Sequence, residues 1–177
     1  MKLEARLQRI ELILSDDDGV LTDGGLFYDQ QGSELKKFHV RDGLGIKLWQ
    51  RAGYRFGLVT ARTSNIVRMR ANELGLDLVR QGHENKLPIV EEILGELGYS
   101  AEQLCFIGDD LTDLACLQFA GVGATVSDGA TELKDEADLV TSQPGGRGAV
   151  RELIEVLLKS QHRWQELMSR YHQPHRS

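Results

Sequence analysis

The chain has 177 residues, enough for one domain that buries a real core without disulfide or metal staples. Its composition, 41% hydrophobic and 27% charged with 19 Gly and 3 Pro, is ordinary for a soluble globular protein. A formal charge of −6, with 27 Asp+Glu against 21 Lys+Arg and no basic run, excludes a non-specific nucleic-acid binder, so an anionic substrate has to meet a local cation cluster rather than a global field.

Cys105 and Cys116 sit in apolar patterns and read as small core residues, which points away from a disulfide framework and toward a reducing compartment. The opening Met1-Lys2-Leu3-Glu4-Ala5-Arg6 carries acid and lacks an apolar signal core. No apolar stretch approaches the ~20 residues needed to span a bilayer, and the expected location is cytoplasmic.

In chain order, the first clear element is the apolar run Ile10 to Leu14, which ends in Ser15-Asp16-Asp17-Asp18-Gly19. It reads as a buried parallel strand that delivers acids to its own C-terminal end. Gly25 to Asp29 and Glu34 to His39 flank Gln30-Gln31-Gly32-Ser33 and predict a β-hairpin spanning about 25–39. Asp42 is placed to cap a helix that runs to about Arg51 and closes at Gly53. A strand follows over Tyr54 to Thr60, a helix over Ser64 to Leu74 ending at Gly75, and a short strand at Leu78 to Arg80. Pro88 opens a further helix whose apolar face is Ile89, Ile93, Leu94 and Leu97. Leu104 to Ile107 repeats the opening theme, an apolar strand running into Gly108-Asp109-Asp110-Leu111-Thr112-Asp113. The remaining pattern predicts a helix at Leu114 to Phe119, strands at Gly123 to Val126 and Leu139-Val140, a flexible Gly145-Gly146-Arg147-Gly148 segment and a helix from Ala149. Val150, Leu153, Ile154, Leu157 and Leu158 form the core stripe of that last helix. Residues from about 160 to 177 read as a polar extension that continues the helix and then frays. This alternation predicts a single α/β domain over 1–177, a Rossmann-like doubly wound parallel sheet with a small hairpin insertion and no cap domain.

In such a sheet the strand ends share one rim, where ligands bind. That rim would collect Asp16 and Asp18, Thr60, Lys86 and Asp109-Asp110-x-x-Asp113. These are the parts of phosphoryl transfer through a carboxylate nucleophile: an ionised acid, a dication and a lysine between it and the phosphate, and a hydroxyl to cradle the phosphate. Asp16 is the nucleophile, Asp18 the general acid and later base, and Thr60 and Lys86 the phosphate cradle. Mg²⁺ is expected among Asp16, Asp18 and Asp109, with Asp110 and Asp113 supporting. A calcium loop is disfavoured because Gly19 and Val20 stand where an EF-hand needs other residues. No Gly-x-x-x-x-Gly-Lys-Ser/Thr segment is present, which excludes a P-loop.

The segments Asp16 to Gly24, Val59-Thr60-Ala61-Arg62, Gln81-Gly82-x-x-Asn85-Lys86, Gly108-Asp109-Asp110-Leu111-x-Asp113 and Gly145 to Glu152 together resemble the haloacid dehalogenase superfamily. Within it they resemble the capless family of 3-deoxy-D-manno-octulosonate 8-phosphate phosphatases, over roughly residues 8 to 158. The resemblance implies a Mg²⁺-dependent phosphatase of a small anionic sugar phosphate in lipopolysaccharide precursor synthesis, with Arg62, Asn85 and Arg147 contacting substrate. It also implies a homotetramer in which a neighbouring subunit closes each site. The hairpin's Leu26, Phe27, Tyr28 and Phe38 are the expected apolar contact surface. Two departures stand out: an acid, Asp17, where the family commonly has an aliphatic residue, with its side chain expected to point away from those of 16 and 18, and Ala61 in place of a common glycine. A sialic-acid-type nonulosonate 9-phosphate phosphatase and a catalytically idle assembly module on the same fold remain the alternatives.

Overall fold

The computed structural model describes residues 2–172. A short helix α1 (Leu3–Leu7) precedes β1 (Leu12–Ser15), the hairpin strands β2 (Phe27–Tyr28) and β3 (Glu34–Leu35), α2 (Val40–Arg51) and β4 (Arg55–Thr60). The chain continues through α3 (Asn65–Leu74), β5 (Leu78–Gln81), α4 (Leu87–Leu97), β6 (Leu104–Gly108), α5 (Leu114–Phe119), β7 (Val122–Thr125), α6 (Thr131–Glu136), β8 (Leu139–Val140), α7 (Ala149–Ser160) and α8 (Trp164–His172).

Six strands form one parallel sheet in the order β5-β4-β1-β6-β7-β8, while β2 and β3 pair antiparallel beside it. Strand side chains alternate between faces, and that period explains the unbroken apolar runs. Ile13, Phe56, Leu58, Cys105 and Ile107 face one layer with α2, α3 and α7, whereas Leu12, Leu14, Val59, Leu104 and Phe106 face the other with α4 and α5. Strand order reverses on the two sides of β1, which pairs with β4 on one edge and β6 on the other. The end of β1 is therefore the topological switch point, the crevice where open α/β sheets bind ligands. Among the described residues, no helix is long and apolar enough to cross a membrane.

Several boundaries differ from the sequence expectation for identifiable reasons. Helix α2 is capped by His39, whose side chain accepts from the Arg41 amide at 3.3 Å, and not by Asp42. Asp42 lies inside the first turn, buried, and accepts from the amides of Gly148 (3.1 Å) and Arg151 (2.8 Å) at the start of α7. The Gly145–Gly148 segment is not a loose arm. The Gly145 amide donates to Asp128 Oδ1 and the Gly146 amide to the Val20 carbonyl, and Gly145 packs so closely on the Gly19 and Thr22 carbonyls that a Cβ there would overlap them.

Helices α1 and α6 carry too short an apolar pattern to be read, α6 burying only Leu133. The C-terminal extension does not prolong α7. The chain breaks at Gln161–Arg163, where His162 takes a left-handed φ of 58°, and α8 folds back over α7. Arg151 and Lys159 sit over the Trp164 ring at 5.5 and 5.2 Å, and Arg51 donates to the Tyr171 hydroxyl at 2.8 Å. The fraying expected at the very end falls on 173–177, outside the described residues.

Candidate active site

The acid run after β1 turns back on itself because the Asp17 carbonyl accepts the amides of Val20, Leu21 and Thr22 at 3.3, 2.9 and 3.1 Å. Gly19 takes a φ of +85°, and any Cβ there would overlap the Asp109 carboxylate, so glycine is what lets the β1 and β6 loops meet. Asp16 follows β1 directly, its amide donating to the Ile107 carbonyl at 3.0 Å and so continuing the ladder with β6. Asp109 leaves the end of β6, and Asp113 closes a 3-10 turn (Leu111–Asp113) whose cap is the Asp110 side chain.

Carboxylate oxygens of Asp16, Asp109 and Asp113 lie within 4.8 Å of one another. Lys86, at the start of α4, reaches the cluster with a side chain that has no solvent exposure, its Nζ 2.9 Å from Asp16 Oδ2 and 2.5 Å from Asp113 Oδ1. Asp113 Oδ2 in turn accepts the Asp109 amide at 3.1 Å. Burial works against the Lys86 charge, yet Asp113 and Asp16 outweigh it and raise its pKa, so it is an ammonium. Burial, followed by the charges of Asp16, Asp113 and Asp110, pushes the Asp109 carboxyl up to about 7. Burial and Asp16 raise Asp113 as well, against the pull of Lys86. Three acids held this close with one ammonium are under-neutralised, and hard oxygen donors in that number fit a hard dication.

Asp18 stands apart from that cluster. Its Oδ1 pairs with Lys36 Nζ, which arrives from the hairpin and lies 3.1 Å from Asp17 Oδ2 as well. Asp113, expected in a supporting role, is the acid whose oxygens group with those of Asp16 and Asp109. Thr60 is buried at the end of β4, on the same rim. Arg62 Nη2 donates to the Tyr28 hydroxyl and to Glu34 Oε1, both at 2.8 Å, and its Nε is 3.9 Å from Asp18 Oδ2. Asn85 is exposed beside Lys86, Asp110 is exposed, and Arg147 is exposed on a cleft of about 710 Å³ that Arg41 and Arg151 also line.

Residues 76–153 match the model of haloacid dehalogenase-like hydrolases. The chain is 38% identical over 159 residues to the 3-deoxy-D-manno-octulosonate 8-phosphate phosphatase of Haemophilus influenzae strain Rd, covering 90% of this chain and 88% of that one. The chain belongs to this phosphatase family. Among solved structures, the 3-deoxy-D-manno-octulosonate 8-phosphate phosphatase of Moraxella catarrhalis, in complex with magnesium, phosphate and KDO, superposes with a TM-score of 0.93 at 35% identity. That match covers 95% of this chain and 97% of the other. The Yersinia pestis enzyme of the same name gives a TM-score of 0.90 at 37% identity, covering 92% and 88%.

Asp17, between Asp16 and Asp18 in the acid run, has an environment of its own. Its carboxylate does not simply point away from the site. It is fully buried and shares Lys36 with Asp18; burial raises its pKa to about 6 although Lys36 opposes this. Lys36 and Glu34 were absent from the sequence reading of the site. The signal was there in principle: two charged residues two positions apart share a face where the chain is extended, and this hairpin directly follows the acid loop. Phe38 also differs from expectation. It packs on the core and under Arg70, 5.7 Å from the ring centroid, whereas Leu26, Phe27, Tyr28 and Leu35 are exposed.

Proposed function

We propose that this chain is a Mg²⁺-dependent phosphomonoesterase that hydrolyses 3-deoxy-D-manno-octulosonate 8-phosphate to the free sugar acid and phosphate through an aspartyl-phosphate on Asp16. The observation that carries the chemistry is Lys86, fully buried yet charged, holding Asp16 Oδ2 at 2.9 Å inside a cluster of three acids. The choice of sugar rests on the family and on the ligands named for the Moraxella protein.

In the first step an Asp16 carboxylate oxygen attacks phosphorus and the ester P–O bond breaks, while the Asp18 carboxyl gives its proton to the departing sugar oxygen. Water then attacks phosphorus and passes a proton to Asp18, the bond to Asp16 breaks, and phosphate leaves with both acids restored. Lys86 and the Thr60 hydroxyl hold the non-bridging oxygens of the phosphoryl group, fixed in place before charge develops. Asp16, Asp109 and Asp113 would hold Mg²⁺, which would supply the positive charge that lets a carboxylate approach a phosphate dianion. Arg62, Asn85 and Arg147 are the residues assigned to the sugar acid.

The hairpin surface supports a homotetramer whose neighbours close the open sites, acting in the cytoplasm on lipopolysaccharide precursors. Leu26, Phe27, Tyr28 and Leu35 are each more than half exposed, an apolar patch that fits a second copy. Sedimentation is expected to give a species well above the 19.8 kDa chain, and a fully active monomer would remove this part. The substrate is tested by comparing kcat/KM for the octulosonate 8-phosphate, a nonulosonate 9-phosphate and 4-nitrophenyl phosphate. The octulosonate is expected to lead. Preference for the nine-carbon sugar, or no turnover of any of the three, would overturn the assignment.

A further inference from the structure

Lys36 and Lys37 are adjacent on the hairpin and have opposite fates. The Lys37 side chain is 62% exposed and pairs with Asp23, while that of Lys36 is 2% exposed. A lysine is buried only where acids repay its desolvation, and Lys36 has two: Asp18 through Oδ1, and Asp17 through Oδ2 at 3.1 Å. Its Nζ is thereby held from two sides, and Asp18 is held by one oxygen. The other oxygen, Asp18 Oδ2, is buried without a hydrogen-bond partner among the described residues, and Arg62 Nε at 3.9 Å is beyond hydrogen-bonding reach. Asp17 Oδ1 likewise has no partner among the described residues, where the contact Asp17 makes through its carboxylate is the one to Lys36.

The hairpin has a second tie to the body of the domain. Glu34 already accepts from Arg62 Nη2 at 2.8 Å and from Ser64 Oγ at 2.7 Å. A mere strap would also have no reason to sit on the one acid that must exchange a proton.

We propose that Lys36 is a positioning residue for Asp18, anchored by Asp17: it fixes one carboxylate oxygen and leaves the other uncommitted for proton exchange. This inference rests on the phosphatase reading above, in which Asp18 is the general acid. It assigns work to Asp17, the acid found where the family commonly has an aliphatic residue.

The test uses the full chain with saturating Mg²⁺, on the octulosonate 8-phosphate and on 4-nitrophenyl phosphate. Lys36→Met is expected to lower kcat by about 10²-fold on both substrates, the size of effect that a misplaced catalytic group produces, with KM changed by less than about twofold. Lys36→Arg should recover part of the loss. On an Asp18→Asn background the same change should lower kcat by less than about twofold, since a positioning residue has nothing left to position. Lys36→Met alone leaves Asp17 buried and unpaired and could unfold the loop, so Asp17→Val/Lys36→Met supplies a variant with neither buried charge. It is expected to melt like the wild type and to remain slow. Full activity in that double variant would show that Lys36 only neutralises Asp17, and additive losses with Asp18→Asn would show that it acts apart from Asp18; either overturns the proposal. A wild type inactive on both substrates strikes the phosphatase reading itself, whereas an active wild type with an unimpaired Lys36→Met strikes this inference alone.

Discussion

Replacing Asp42 by alanine tests how the hairpin side of the molecule is tied to the glycine-rich loop. Helix α7 begins at Gly148, which has no side chain to cap it, and the missing acceptor comes from Asp42, 106 residues earlier. The carboxylate takes the Gly148 and Arg151 amides with separate oxygens, so Asp42→Ala leaves both donors at a buried helix start. Loss of an N-cap acceptor costs about 0.5–2 kcal/mol and hydrogen bonds to a charged group contribute about 1.5–3 kcal/mol. Against this, burial raises the Asp42 pKa although both amides lower it, so the buried carboxylate is itself costly and the net is set near ~2 kcal/mol. For a chain of this size that is a fall in Tm of about 4–8 °C. Asp42→Asn, which keeps one acceptor, should show roughly half of it. Because the folded pKa is raised, the contribution is fully present below the unfolded value of 3.8 and declines as pH rises through the folded value. The gap between wild type and Asp42→Ala should therefore narrow as pH rises from below 3.8 through the folded value. Scanning calorimetry measures both, and a Tm within about 1 °C of wild type would refute the tie.

The Asp109 pKa of about 7 gives a second pH signature: without metal, stability present below the unfolded value of 3.8 is lost as pH rises through about 7. Asp17, at about 6, acts in the same direction. Mg²⁺ should thus raise Tm more at about pH 8 than at about pH 5, and its affinity by calorimetry should weaken as pH falls below about 7; an equal rise at both would contradict the crowded-acid reading. Gly145→Ala should cut kcat by about tenfold or more with KM little changed, because its Cβ would push the Gly19 and Thr22 carbonyls and with them the acid loop. Wild-type kcat in that variant would mean the loop contact is dispensable. Arg147→Ala should raise KM for the sugar phosphate more than for 4-nitrophenyl phosphate, and equal effects would detach Arg147 from sugar recognition.

What could be read from the chain alone followed from local patterns. The apolar runs into Asp16 and Asp109 are short, unbroken and end in acid, so both strands and their shared rim were legible, as were α4 behind Pro88 and the α7 stripe. Interactions that depend on distant partners were not. Asp42 looks like a cap for its own helix because its position is right for one, and only the packing of α2 on α7 redirects it to a helix 106 residues away. Gly145 to Gly148 looks flexible because glycine is permissive, but here the small residues serve close backbone approach. Lys36 looks like its neighbour Lys37 until the hairpin folds onto the acid loop and buries one of the two. The turn at Gln161–Arg163 relies on a left-handed histidine, so the glycine that usually marks such a turn in a sequence is missing.

The central claim is that Asp16 attacks phosphorus, and steady-state kcat of Asp16→Asn with the octulosonate 8-phosphate and saturating Mg²⁺ tests it most directly. Removing the nucleophile while leaving Lys86, Asp109 and Asp113 in place should lower kcat by about 10³-fold or more in a protein whose circular dichroism is unchanged. Retention of more than about a tenth of the wild-type kcat, a loss under ~1.4 kcal/mol, would contradict it.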